Sequence, residues 1–213
     1  MHDYIDLYCE RTEPGLWAEP LNALTNLAFI IAAVMVWRLA RQQDRIGTDG
    51  FALTALLVAI GIGSGLFHTF ANSWSMWLDE LPILLFQICF IGLYLNRVVE
   101  LHWYGVAFGL ILFIVTIYGA AALPEHIHEA SNGSLGYAPA LLALLVLGLY
   151  HRVSHATAPY LLLFASGVFL LSLTFRTIDN AVCEQIPFGS HFLWHLFNAL
   201  LLYLVSRAYL LNR

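Results

Sequence analysis

The chain contains no lysine among its 213 residues, so all nine of its basic side chains are arginine. Without lysine there can be no retinal Schiff base and no other imine chemistry of the kind that helical membrane bundles often carry. Charge is scarce altogether: 11% of the residues are charged and the formal net charge is -5. A nucleic-acid partner wants a basic face, which argues against that class of function. Cysteines number three, and no stretch is rich enough in Pro, Gly or Ser to form a linker. One domain over residues 1–213 is therefore expected, and no internal repeat is visible. No basic stretch precedes an apolar core at the N-terminus, where the first twenty residues are acidic and polar. No cleavable signal peptide is expected, which leaves insertion to the first spanning helix.

What is present is apolar. With 60% hydrophobic residues and a mean hydropathy of +0.75, the chain reads as an integral membrane protein. Apolar runs long enough to cross a bilayer fall at roughly 21–40, 51–70, 77–96, 102–122, 136–150, 158–176 and 189–211. The expected fold is all-α, a seven-transmembrane-helix bundle over 21–211 preceded by an acidic segment, 1–20. Proline at position 139 sits in the first turn of the fifth run, where it is tolerated. Arg38, Arg41, Arg45, Arg97, Arg152, Arg207 and Arg213 flank one side of the bundle, against Arg11 and Arg176 on the other. That bias predicts an N-terminus outside and a C-terminus in the cytoplasm.

With that topology the end of the second run and the starts of the third and seventh share the outer side. Ser64 and His68 are one helical turn apart, and so are His191 and His195. Three imidazoles, two at i and i+4, fit the three-ligand pattern of a catalytic zinc site. Asp79 interrupts an apolar run and needs a partner there; the bland alternative is a first-turn acid favoured by the helix dipole, the role assigned to Glu80. Ser64 in Gly-Ile-Gly-Ser-Gly is either a small packing residue or a polar neighbour of His68. The remaining histidines, 2, 102, 126, 128, 151 and 155, fall in loops or helix ends, with His126 and His128 in an exposed loop. Asp179 is expected to pair with Arg176 three residues earlier.

Asp3, Asp6, Glu10, Glu13 and Glu19 crowd the N-terminal segment. Such a run is usually solvated, but clustered carboxylates are also what calcium uses. Cys89 falls mid-helix as an apolar residue. Cys9 and Cys183 share the expected outer side, where an oxidising compartment would let them pair.

Several motifs occur together: Glu19-x-x-Asn22-x-x-x-Asn26; Gly61-x-Gly63-Ser64 leading to Phe67-His68, with Asp79 eleven residues on; Asp179-Asn180-x-x-Cys183-Glu184; and His191-x-x-Trp194-His195. The combination, spanning nearly the whole chain, resembles the alkaline ceramidases, part of a superfamily of seven-helix membrane hydrolases that includes the adiponectin and progestin receptors. The resemblance implies zinc on His68, His191 and His195, with Ser64 and Asp79 at the family's serine and aspartate positions and a Cys9–Cys183 disulfide. It further implies calcium on the N-terminal segment, in a pattern from which this chain departs. Tyr8 replaces a tryptophan, Thr12 stands where an asparagine would be, and Asp6 lies one place early. Glu10 and Glu19 carry over, with Glu13 as the substitute for the asparagine. The short loop after Cys183 points to a bacterial relative, in an inner membrane with the site toward the periplasm.

The implied reaction is hydrolysis of the N-acyl bond of ceramide or a similar N-acyl lipid to a fatty acid and a sphingoid-type amine. A zinc-stabilised receptor or lipid-binding protein would use the same histidines with no need of Ser64 or Asp79. A b-haem protein would leave the His191–His195 pair unexplained.

Overall fold

The computed structural model describes residues 4–43 and 47–213; His2 and Asp3 of the N-terminal segment and Arg45 of the first loop lie outside the described residues. Seven helical spans are long and apolar enough to cross a membrane: Pro20–Gln42, Thr48–Phe70, Ser73–Arg97, Trp103–Ala121, Ser134–Val153, Leu161–Ala181 and His191–Asn212. Each overlaps the apolar run expected for it. The described residues form no named strand.

The helices are α1 (Pro20–Thr25), α2 (Leu27–Gln42), α3 (Thr48–Phe70), α4 (Ser73–Arg97), α5 (Trp103–Ala121), α6 (Glu125–Ala130), α7 (Ala138–Val153), α8 (Leu161–Ile178) and α9 (His191–Asn212). The first span is split into α1 and α2 at buried Asn26, whose Nδ2 donates to the Asn22 carbonyl at 2.9 Å. That side-chain bond competes with the backbone for a helical acceptor. His126 and His128 do not sit in a loop as expected but on α6, a single short helix opened by Pro124. Six residues are too few to show a hydrophobic period, so the sequence carried no sign of it.

Helix α9 is the hub. It packs against α8, α2 and α1, and 61% of its most apolar stretch is buried within the protein, against 6% for α5. α5 is therefore a peripheral helix whose Phe108, Ile111 and Leu112 face outward. An outward apolar surface of this kind suits lipid, not water. Because α9 is enclosed on several sides, residues of its first two turns sit inside the bundle.

Between α3 and α4 only Ala71 and Asn72 intervene. Ala71 adopts a left-handed φ of 46°, and its carbonyl accepts the Ile5 amide at 2.9 Å. Asn72 and Ser75 form a reciprocal capping box that starts α4. So early a start puts Asp79 in the second turn of α4, out of reach of the first-turn dipole role. One further detail sets the depth of contact between the two helices. Pro82 has no N–H, which deprives the Leu78 carbonyl of its helical partner. That carbonyl packs against α3 at Gly63, where a Cβ would overlap it. The missing side chain lets α4 approach closely enough to bring Asp79 beside Ser64. Gly63→Ala should force the helices apart and cost about 1–3 kcal/mol, the usual scale of overpacking. A thermal melt of the purified variant in detergent checks this, an unchanged midpoint being the contrary result.

Candidate metal centre

His68 lies in the last turn of α3, and His191 and His195 in the first two turns of α9. Each is at most 1% exposed. A ring nitrogen from each lies within 4.8 Å of those from the other two. The Nε2 atoms of His68 and His195 are 3.1 Å apart. Two nitrogens bound at about 2.0–2.1 Å to one tetrahedral zinc would lie about 3.3 Å from each other.

The neighbours assign the tautomers. The Thr25 hydroxyl spends its one proton on the Leu21 or Asn22 carbonyl, so toward His195 Nδ1, at 2.9 Å, it is an acceptor. His195 therefore carries its proton on Nδ1. His68 Nδ1 in turn donates to Glu19 Oε2 at 2.5 Å. With the ring protons on Nδ1, both Nε2 lone pairs face one another in a buried site, where a shared proton or a bound cation bridges them. His191 adds a buried Nδ1 with no hydrogen-bond partner. Bare, convergent imidazole nitrogens are what a divalent ion requires, and ligand rings oriented through their second nitrogen are the rule at zinc sites. The residues present fit a zinc ion.

Glu19 was expected among calcium ligands, and its place behind His68 was missed by sequence reasoning. Burial pushes its carboxyl up, but hydrogen bonds from His68, Arg11 and Asn22 outweigh that and hold it below the ordinary glutamate value. It is anionic. Thr25 was missed too; nothing in Leu-Asn-Ala-Leu-Thr-Asn marks a threonine whose partner is 170 residues away.

Among the described residues the other positions expected to hold calcium do not form a compact group of carboxylates. Asp6 and Glu13 are exposed. Glu10 accepts the backbone amides of Leu21 at 2.7 Å and Asn22 at 2.8 Å. Tyr8 is buried and stacks on His191, ring centroids 3.6 Å apart. Among the described residues the three histidines are the His, Cys, Asp and Glu group compact enough for a metal.

Asp179 does not pair with Arg176. It is fully buried and accepts three backbone amides, Cys9 at 3.0 Å, Ser190 at 2.7 Å and His191 at 2.8 Å. The first turn of α9 has four amides with no helical acceptor, and a carboxylate satisfies two of them better than a distant guanidinium would be served. Gly189, at a φ of 62°, passes so close to this carboxylate that a Cβ would overlap it. Arg176 instead donates to the Tyr8 hydroxyl at 2.8 Å and lies over the Tyr8, Tyr137 and Trp194 rings. Cys9 and Cys183 form a disulfide, which ties the N-terminal segment to the loop before α9.

Ser64 and Asp79 interact across the α3–α4 contact. With His195 they form the polar end of an elongated cavity, concave and mostly apolar as ligand sites are. The rest of the lining is nearly all apolar. It extends along α4 from Asp79 to Ile91 and along α9 from Trp194 to Val205, about 16–18 Å at 1.5 Å per residue.

Fold and site together define a class: a multi-pass integral membrane protein whose buried three-imidazole pocket adjoins an elongated, mostly apolar cavity. The family model for ceramidases matches residues 8–211, and the chain belongs to that family. It is accordingly a hydrolase acting on the amide bond of ceramide. No curated protein matched the chain.

Asp179→Ala would leave three backbone amides without their acceptor, each loss worth about 1–3 kcal/mol where the group stays buried. The variant should melt at lower temperature and carry less metal per chain, whereas Asp179→Asn, which keeps an acceptor oxygen, should lie between it and the parent. Metal analysis alongside the melt checks both, and equal values for all three proteins would remove Asp179 from this role.

Proposed function

We propose that the chain is a zinc-dependent intramembrane amidase that cleaves the N-acyl bond of ceramide or a similar N-acyl lipid, releasing a fatty acid and a sphingoid-type amine. His68, His191 and His195 hold the ion. The observation that carries this reading is the pair of bare Nε2 atoms 3.1 Å apart, beside the polar end of a long apolar cavity. A shared proton would bridge two such nitrogens; the third imidazole converging on them, with its own buried nitrogen unpartnered, favours a metal ion. Positioned by three imidazoles, zinc supplies Lewis acidity and lowers the pKa of water to about 7, so a nucleophile is available at neutral pH.

The protein side chains do the rest. The acyl chain lies in the cavity between α4, α7 and α9, which sets the amide against the polar end and excludes bulk water from it. Asp79 accepts the proton of the attacking water and delivers it to the amide nitrogen as the carbon–nitrogen bond breaks, acting as base and then acid. Ser64 faces Asp79 at rest; once Asp79 has taken its proton, the Ser64 hydroxyl is free to donate to the developing oxyanion. Loss of one such donor costs about 3 kcal/mol, or roughly 10²–10³ in kcat. The hydroxyl of water ends on the acyl carbon and its proton on the departing nitrogen, so the fatty acid and the amine leave with atoms and charge balanced.

The orientation belongs to the same reading. The arginine bias favours a centre under the outer leaflet, which in a bacterial inner membrane is the periplasmic side, and a disulfide in the same region suits an oxidising compartment.

Ser64→Ala should lower kcat by about 10²-fold or more while keeping zinc, and His191→Ala should lose both zinc and turnover. Detergent-purified proteins assayed on a panel of N-acyl lipids, with metal content measured on the same samples, decide this. Full activity in Ser64→Ala would withdraw its role, and zinc retained by His191→Ala would withdraw the ligand set.

A further inference from the structure

The residue at the centre of the N-terminal segment is Arg11, which is 4% exposed. Its Nε donates to Glu19 Oε1 in a buried ion pair. Its Nη1 donates to the Gly15 carbonyl at 3.3 Å and its Nη2 to the His68 carbonyl at 2.8 Å. Its guanidinium also lies 5.7 Å from the centre of the Tyr4 ring. One carboxylate and two backbone carbonyls are the kind of oxygen set a hard divalent cation takes, and calcium wants six to eight such ligands at about 2.3–2.6 Å. Here those oxygens point at a guanidinium. A dication placed among them would meet a fixed positive charge at contact distance.

Among the described residues the remaining acidic positions offer no second set. Glu10 is committed to two backbone amides, the Tyr8 hydroxyl accepts from Arg176, and Asp6 and Glu13 are exposed. The described residues of this segment do not fit calcium.

Arg11 also holds one histidine from two directions. Through Glu19 it fixes the acceptor of the His68 Nδ1 proton. Directly, it takes up the His68 main-chain carbonyl near the open C-terminal end of α3, an end where cationic side chains are favoured. The side chain and backbone of His68 are both anchored to a single planar cation.

We propose that Arg11 is a built-in cation that stands where the N-terminal segment would otherwise bind calcium, and that it is a positioning residue for His68, so that hydrolysis proceeds without calcium. The inference rests on the reading of His68 as a metal ligand only in its second half; the calcium half is independent of it.

The test has two arms. In the first, the purified parent protein is loaded with zinc and dialysed against radioactive calcium, and hydrolysis of ceramide is followed with added calcium and with a calcium-selective chelator. No stoichiometric calcium and an unchanged rate are expected. Calcium bound at one per chain, or a rate that rises with it, overturns the proposal. In the second arm, zinc affinity is measured by chelator competition on the parent, Arg11→Lys and Arg11→Ala. Loss of an outer partner of a ligand histidine lowers metal affinity by about 10–100-fold, which is the fall expected for Arg11→Ala. Its kcat should fall with KM held, and added guanidinium ion should recover part of both losses. Arg11→Lys, a point charge unable to reproduce the fork, should be intermediate. Parent-like zinc affinity in Arg11→Ala overturns the positioning role. If that variant does not fold, Arg11→Lys and the calcium measurements on the parent still decide. A parent protein that binds neither zinc nor calcium sinks the proposed function but leaves the calcium half standing.

Discussion

Two imidazole nitrogens 3.1 Å apart and shut away from water repel one another unless a proton or a metal ion lies between them, and holding them there is what much of this end of the bundle is built to do. Each ring is held from its far side, His68 through Glu19 and His195 through Thr25, so that its Nε2 is turned toward the centre. A buried anion beside His68 is stabilised in turn by Arg11 and Asn22. Each layer fixes the one inside it. Such outer partners govern ring orientation and ligand basicity, so the site extends well beyond the three histidines.

The N-terminal segment is best understood as the cover of this site. Its disulfide to Cys183 closes a sequence separation of 174 residues, and a cross-link over so long a loop removes conformational freedom from the unfolded chain worth about 5 kcal/mol by the chain-entropy account. The cover is also fastened without covalent chemistry. Asp179 joins the Cys9 amide to the first amides of α9, while Tyr8 lies flat on His191 and is held there by Arg176. Burial pushes the Tyr8 phenol up, so it stays neutral and presents an aromatic face and a hydroxyl, not a charge, to the centre. The same few residues close the pocket, orient His191 and begin α9.

Chemistry and substrate meet where the cavity changes character. At one end are His195, Asp79 and Ser64; beyond them the lining of α4, α7 and α9 is apolar but for Gln87 and Asn198 over about three turns of helix. An amide with a long acyl tail matches that division, since burying the tail supplies binding and leaves the polar end to the reacting bond. The close approach of α3 and α4 at Gly63 makes the polar end possible, because it brings Ser64 to Asp79. Pro82 contributes by freeing the carbonyl that Gly63 receives.

The seven spans, and the facing of His191 with His195, could be read from the chain because their causes are local: a bilayer demands about twenty apolar residues in a row, and a helix places positions four apart on one face. The convergence of His68 with that pair followed from counting spans. What the chain could not disclose is which oxygen meets which proton. An acidic segment has the same composition whether its carboxylates accept backbone amides, a guanidinium, an imidazole or a metal ion. Glu10, Glu19 and Asp179 are told apart only by neighbours far away in sequence: Asp179 by Cys9 and His191, and Glu19 by His68 as well as nearby Arg11. The break at Asn26 and the start of α4 at Ser73 likewise depend on single side-chain bonds. Hydrophobic pattern is a property of consecutive residues and survives in the sequence; hydrogen-bond partnership at a buried site is a property of packed helices, and it exists only once they are assembled.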